Sequence, residues 1–424
     1  MNHLKQVLII SYYFTPCNLT AAQRIKGWAD HLSKYGYYPT VITRNWDHRI
    51  ESPKDVLKDS GEGVVHEQHE NYEVYRLPYK SSKRDRLFTN GGGGLSKIRQ
   101  KFLTLWGLIM ENYSIKVIPH KNLYHFADEW LTKNPQVKSV VISANPFDQF
   151  SFGYKLRKRH SIQWIADYRD DWTTSELKEM TKGGLHKLVR KLQAKSEKKW
   201  VGSSSLITSV SSHYVKKIES FVGVQGQVLL NGFDRLQQFS AAQSDQFQIT
   251  YNGSLYDTQK VEPFLEAIQN LIRKGYNIRM NFPGTGFNVD QNNRIERLTE
   301  EIKDHVFVTD RIPREEVIEI QKNSDLLLML SHEGLKGIPS SKLYEYISTQ
   351  KPVLLFPNDG DIIEETLLDI GNGIICDSMK QIEDSIEGLI NGKLKITVDK
   401  ERLHFYSREF QTGILAKLLD ELND

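Results

Sequence analysis

The segment Gly337-Ile-Pro-Ser-Ser-Lys-Leu-Tyr-Glu345-Tyr-Ile-Ser-Thr-Gln-Lys-Pro-Val-Leu-Leu-Phe356 holds the residue types and spacing that point most directly to chemistry. Pro339 fixes the approach to a short helix that Ser340 and Ser341 are suited to cap. Lys351-Pro352 ends that helix ahead of the apolar run Val353 to Phe356, which reads as a buried strand. Amides at a helix start have no intrahelical partner and carry partial positive charge, so they suit a phosphate. Gly337, Ser340, Ser341, Lys342 and Leu343 are therefore candidates to line an anion site. Glu345 lies one turn further in and can accept hydrogen bonds from a ribose diol, as acidic residues do in dinucleotide folds. Diphosphate plus ribose is a nucleotide.

The elements that must position these groups repeat one grammar. Gln6 to Ser11 reads as a buried strand, Ala21 to Tyr35 as a helix ending at Gly36, and Tyr38 to Thr43 as the next strand. This order implies a parallel sheet with crossover helices. Ser139 to Ser143, Gln163 to Ala166 and Leu206 to Val210 add strands, and Ser81 to Gly94 reads as a flexible loop. The pattern restarts near residues 235–245, with strands at Gln248 to Tyr251, Ile278 to Phe282, Val306 to Thr309 and Leu326 to Leu330. The expectation is an α/β protein of two Rossmann-like domains with parallel sheets facing across a cleft, divided as 1–235 and 236–404. The facing ends of the strands are where a site belongs.

Composition narrows the class. With 424 residues, 39% apolar and 26% charged, each half can bury a core. Only Cys17 and Cys376 occur, which excludes a disulfide framework and a Cys-rich zinc site and fits a reducing compartment. The apolar run near the N-terminus is too short for a signal-peptide core, and none approaches the ~20 residues that span a bilayer. The chain reads as cytoplasmic. The net charge of +3 hides an asymmetry. Residues 1–240 hold 36 Lys+Arg against 22 Asp+Glu, a balance of +14, and the remainder balances at −11. A basic half suggests an anionic partner. The clusters Lys155-Leu-Arg-Lys-Arg159 and Lys187 to Lys199, with the apolar bulk of Phe102 to Met110, point to an anionic membrane surface. Binding of nucleic acid is the competing reading for that half, but it calls for aromatics interleaved with basic residues on strands, which the sequence does not offer, so no nucleic acid is expected.

The chain resembles the family 4 glycosyltransferases, which have the GT-B architecture. The resemblance runs over nearly the whole length. It rests on Tyr12-Tyr-Phe-Thr-Pro16 with Ala21-Ala-Gln-Arg24, on Ile165-Ala-Asp-Tyr-Arg-Asp-Asp-Trp172, and on Leu230-Asn-Gly-Phe-Asp234 and Tyr251-Asn-Gly-Ser-Leu-Tyr256. Ser341-Lys-Leu-Tyr-Glu-Tyr-Ile347 with Lys351-Pro-Val-Leu354 is its most specific part, and Tyr406-Ser-Arg-Glu-Phe410 is similar to the start of the family's last helix. The resemblance implies retaining transfer of a sugar from a nucleotide-sugar donor, with no metal and no cofactor, in the assembly of capsule, O-antigen or a related glycan. It also implies that the last helix, 405–424, returns to the first domain, which takes the acceptor. Two positions depart from the family. Gly337 stands where a second glutamate is common, with Glu333 four residues earlier as the candidate to replace it. Ser254 stands where an arginine is common, while the lysine six residues later is present as Lys260.

Such a transfer builds negative charge on the leaving diphosphate, which cations and helix amides must hold. Lys260 is the first candidate, helped by Gly253, Ser254 and the amides near Ser341 and Lys342. Gly284 and Gly286 of Pro283-Gly-Thr-Gly286 let backbone approach the nucleotide, and Arg311 and Ile312 flank its base. In the first half, Asp167, Arg169 and Asp170 crowd a strand end, an arrangement that can hold carboxylates in different protonation states. Asp170 is placed to orient or deprotonate an acceptor hydroxyl and Arg169 to hold a phosphate, with Arg24 and Asn145 beside the acceptor. The donor is read as a uridine diphosphate sugar and the acceptor as a glycan or polyprenyl-linked glycan. A nucleotide-sugar epimerase is the alternative enzyme on this frame. Asp359-Gly-Asp361 mimics a metal-binding pair but reads as a turn.

Overall fold

A computed structural model describes residues 4–52, 54–89, 94–175, 184–237 and 245–423. The chain divides into two compact units, one of residues 1–231 with 408–424, the other of residues 232–407.

The sheet of the first unit has eight strands, β1 (Lys5–Ser11), β2 (Tyr37–Arg44), β3 (Val65–Gln68), β4 (Glu73–Leu77), β5 (Ser139–Ala144), β6 (Gln163–Tyr168), β7 (Leu206–Ser209) and β8 (Gly226–Val228). Their order is β3-β4-β2-β1-β5-β6-β7-β8, all parallel except the edge strand β3. The central strands are apolar without alternation because helices cover both faces. Val7, Leu8, Ile9 and Ile10 are all fully buried. The helix Ala21–His31 packs Ile25, Trp28 and Ala29 into one face, and a 3-10 turn, Leu32–Tyr35, carries the chain to Gly36. The last helix, Arg408–Glu421, packs on that helix and places Leu415, Ala416 and Leu419 in the same core. Burial of each such side chain contributes about 1.5–3 kcal/mol.

The sheet of the second unit has six parallel strands, β9 (Phe247–Thr250), β10 (Ile278–Pro283), β11 (Val306–Thr309), β12 (Leu326–Leu330), β13 (Val353–Phe356) and β14 (Gly373–Ile375), in the order β11-β10-β9-β12-β13-β14. The core lies under the helix Glu262–Arg273, whose Phe264, Leu265, Ile268 and Leu271 recur at helical spacing and are buried. In both sheets the order reverses beside the first strand, between β1 and β5 and between β9 and β12. Those reversals are where open α/β sheets hold ligands.

Two expectations about the first unit change. Part of the loop expected over 81–94 is helical, from Lys83 to Thr89, with Asp85 buried and accepting from the Ser82 amide and hydroxyl. The glycines at 91–93 lie outside the described residues. The edge strand β3 was not expected, because its Val-His-Glu-Gln sequence has no apolar run. No helix among the described residues is long and apolar enough to cross a membrane.

Candidate functional site

The helix Ser341–Ser348 is built as its sequence dictates. Ser340 is extended (φ −62°, ψ 143°) and its hydroxyl accepts from the Lys342 amide at 3.3 Å. The Leu343 amide donates to the Ser340 carbonyl at 3.0 Å. That leaves the Ser341 amide with no partner among the described residues. Leu343, Tyr344 and Ile347 are buried, and Tyr346 turns its hydroxyl to accept from the Asn252 amide at 3.0 Å. The helix start is thus fixed to the loop after β9.

Lys342 completes that link. Its Nζ donates to the Tyr251 hydroxyl at 2.8 Å and to the Ser254 carbonyl at 3.0 Å, and sits 4.4 Å from the Tyr251 ring centre. Burial pulls its pKa down to about 7, opposed by the Glu345 carboxylate. Burial, and after it the Lys342 charge, also lowers the pKa of His332. Gly253 and Gly284 take φ of +81° and +83°, open to glycine at little cost. A Cβ on Gly253 would stand 3.2 Å from Lys342 Cε, and one on Gly284 only 3.5 Å from Gly253 Cα, so the two strand-end loops abut. The amides of both glycines, with that of Gly286, are taken by neighbouring carbonyls. Gly253 donates to Pro283 at 2.7 Å, and Gly284 and Gly286 both donate to Thr309 at 3.0 Å. These glycines supply close approach rather than donors.

Lys260 and Glu333, far apart in sequence, meet at 3.5 Å on the surface. The Glu333 amide donates to the Thr258 carbonyl at 3.0 Å, while Thr258 Oγ1 and His332 Nδ1 lie 2.6 Å apart. Gly337, at φ +74°, turns the chain between Glu333 and the helix. Glu345 is half-buried and 3.5 Å from the Arg314 guanidinium, a partner the sequence reading missed. Arg311 lies over the Phe287 ring at 4.0 Å, beside the partly buried Ile312. Asp359 accepts from the Ile363 and Glu364 amides, both at 3.0 Å, and so caps the following helix. Among the described residues no cluster of three His, Cys, Asp or Glu is grouped to hold a metal ion.

In the first unit the carboxylates separate into two environments. Register places Ser143, Asp167 and Thr208 side by side across β5, β6 and β7, hence on one face of the sheet. Asp167 is fully buried. It accepts from Ser143 Oγ at 2.6 Å, Thr208 Oγ1 at 2.8 Å, and Arg24 Nη2 and Nε at 2.7 and 3.1 Å. Arg24, itself 3% exposed, also donates to the Leu230 carbonyl at 2.9 Å. All donors here are matched, so the pair holds β6, the first helix and the 230–231 turn together. Asp167, expected among the catalytic residues, and Arg24, expected beside the acceptor, are both enclosed in this network. Arg169 and Asp170 pair with each other at 2.8 Å at the surface, the Asp170 side chain 57% exposed. Asn145 is exposed at the end of β5.

Tyr13 was not singled out from the sequence. It stacks on Trp46 with ring centres 5.4 Å apart. Burial raises its pKa, with Arg169 opposing, which puts Tyr13 in the electrostatic neighbourhood of the Arg169–Asp170 pair. A second cluster went unread too. His120 Nε2 is 3.1 Å from Asp148 Oδ1, and burial, then the Asp148 charge, pushes Glu111 up to about 8, with Arg84 opposing.

Two α/β units with parallel sheets, glycine-lined strand ends and a capped helix after the fourth strand define the GT-B fold class. Residues 233–408 match the family model "Glycosyl transferases group 1", which supports a glycosyltransferase. No curated protein matches the chain. Among solved structures it is similar to a sucrose-phosphate synthase from Thermosynechococcus elongatus (13% identity, TM-score 0.63, 99% of both chains covered). It is similar also to the catalytic domain of starch synthase IV from Arabidopsis thaliana, bound to ADP and acarbose (13%, 0.58, 99% of this chain and 98% of that one). A third is Anabaena HepE in complex with UDP and glucose (10%, 0.57, 98% and 100%). At such identities the likeness carries the fold.

Proposed function

We propose that the chain is a retaining glycosyltransferase of family 4 type. It takes a sugar from a uridine diphosphate sugar and passes it to a glycan or polyprenyl-linked acceptor in the assembly of a bacterial surface polysaccharide. The observation that carries this reading is the helix bearing the Ser341 amide, Lys342 and Glu345 fastened to the loop after β9, with Lys260, paired with Glu333, further along that loop, inside the segment that matches the group 1 model. Cationic side chains and a helix start at one strand end suit a diphosphate, and a carboxylate one turn away suits a ribose. The solved relatives with ADP or UDP bound support a nucleotide donor. Retention rests on the motif resemblance.

In this reading the bond from the anomeric carbon to the diphosphate oxygen breaks, and the acceptor oxygen bonds to that carbon on the same face. Lys260 and the helix start hold the charge that builds on the diphosphate, without a metal. Lys342 braces the loop that carries Gly253 and Ser254. Glu345 exchanges Arg314 for the ribose hydroxyls, and Glu333 contacts the transferred sugar. Asp170 takes the proton of the acceptor hydroxyl, and Arg169 holds an acceptor phosphate beside Asn145. Arg24 and Asp167 fix the loop on which Arg169 and Asp170 stand.

Release of uridine diphosphate from a panel of its sugars by the purified chain tests the proposal. Glu345→Ala and Lys260→Ala are expected to lower nucleotide affinity at least about tenfold, the loss of one charge-assisted contact. Parent-like binding by both variants would overturn the site. The match to the group 1 model favours a transferase over an epimerase. An epimerised donor formed with no acceptor present would reverse that order.

A further inference from the structure

The helix Gly94–Met110 of the first unit turns a row of large apolar side chains to solvent. Ile98 and Phe102 are each 67% exposed, Trp106 46% and Ile109 42%, and Tyr113 follows at 76% in the turn beyond. At 3.6 residues per turn the first four fall within about 80° of one another around the helix. They form one ridge and are not scattered singly. Soluble surfaces rarely carry a contiguous apolar ridge without a use for it.

The charges around the ridge say what the use is. Lys97, Arg99 and Lys101 are all exposed on the same helix. By the same geometry Arg99 borders the ridge on one side and Lys101 on the other. The neighbouring helix, Gly184–Val201, is tied to this one through Asn112, whose side chain donates to Ser196 Oγ at 2.7 Å and whose carbonyl accepts from Lys199 Nζ at 2.9 Å. It adds exposed Lys187, Lys191 and Lys195 at four-residue spacing. An apolar ridge with tryptophan and phenylalanine, bordered by cations, is the pattern of a helix lying in a lipid interface. Lysines near an anionic leaflet each attract it, by about fivefold in binding apiece close to the surface.

We propose that this ridge is a membrane-docking surface. Ile98, Phe102, Trp106 and Ile109 enter the headgroup boundary of a bilayer, and Arg99, Lys101 and the lysines of the neighbouring helix meet its anionic lipids. The surface lies outside the nucleotide site, and the proposal does not depend on the transferase reading.

Flotation of the full chain with phosphatidylcholine vesicles, with and without phosphatidylglycerol as the anionic lipid, tests it. The parent is expected to float with the anionic vesicles and to be released by salt. Phe102→Ser with Trp106→Ser should lower partitioning at least about tenfold, since two aromatic side chains no longer leave water. Lys97→Gln with Lys101→Gln should weaken binding to the anionic vesicles and leave the weak binding to neutral ones unchanged. All these residues are exposed, so thermal midpoints should match the parent's, and nucleotide binding reports separately on the other site. Parent binding no better to anionic than to neutral vesicles would overturn the proposal. So would full vesicle binding by the aromatic variant, or its conversion of a dimer to a monomer with vesicle binding intact, which would assign the ridge to a second copy.

Discussion

The two sheets share a strand order near their first strands, and their C-terminal ends are finished in opposite ways. In the first unit, one row of polar residues across β5, β6 and β7 is closed by Arg24, and every charge there is matched inside the protein. In the second, the strand ends run into glycine loops that abut, and the lysine against the Gly253 loop is held below its ordinary pKa by burial. A matched ion pair is an anchor, since breaking it leaves a bare charge in a poor solvent. A cation held at a disadvantage is the reverse, because an incoming anion relieves it. One topology therefore serves once to fix loops and once to leave charge available.

The sharpest way to break this contrast is to remove one carboxylate from each environment. Asp167→Ala strands Arg24 in the interior and should cost about 3–5 kcal/mol of stability in a urea titration. Asp170→Ala removes only an exposed pair and should cost less than about 1 kcal/mol, while acceptor-dependent turnover falls. Equal losses of stability in the two would erase the distinction. Next in size, Gly284→Ala forces a side chain into left-handed backbone against the Gly253 loop. A loss of about 1–2 kcal/mol and weaker nucleotide binding are expected, measured by melting with and without uridine diphosphate.

The smallest effect is in pH. Lys342, at about 7, is half-protonated near neutrality when no ligand is present, and a bound diphosphate favours the charged form. Binding then takes up a proton, and affinity should fall about fivefold from pH 7 to pH 8 by calorimetry. Lys342→Met should flatten that slope. The same shift acts on folding with a definite sign. The folded pKa lies below the ordinary 10.5, so the penalty on the folded state is complete below pH 7 and is relieved as pH rises toward 10.5.

Much of this was legible in the chain because its cues are local. Ser340 caps the helix it was expected to cap, and the apolar runs at 7–10 and 353–356 are central strands. What was not legible depends on residues distant in sequence. Asp167 and Asp170 look alike three positions apart, but only pairing with Ser143 and Thr208 shows that one is sealed in the sheet. Arg314 stands 31 positions before Glu345, and nothing local joins them. The Lys83–Thr89 helix was hidden by its charges, which resemble those of a solvated loop. Burial of the glycine amides in loop hydrogen bonds is likewise invisible to a motif, which records that glycine is present and not what its backbone touches.

The helix Arg408–Glu421 completes the first unit from beyond the second. Leu415 and Leu419 sit against Ile25 and Trp28, and Asp420 takes hydrogen bonds at 2.7 Å from both Lys5 and Tyr37. During synthesis, then, the Ala21–His31 helix stays incompletely packed until the Arg408–Glu421 helix has left the ribosome. Removal of the helix from residue 408 onward would leave an intact second unit attached to a first whose apolar flank is still wet, a natural substrate for chaperones and proteases.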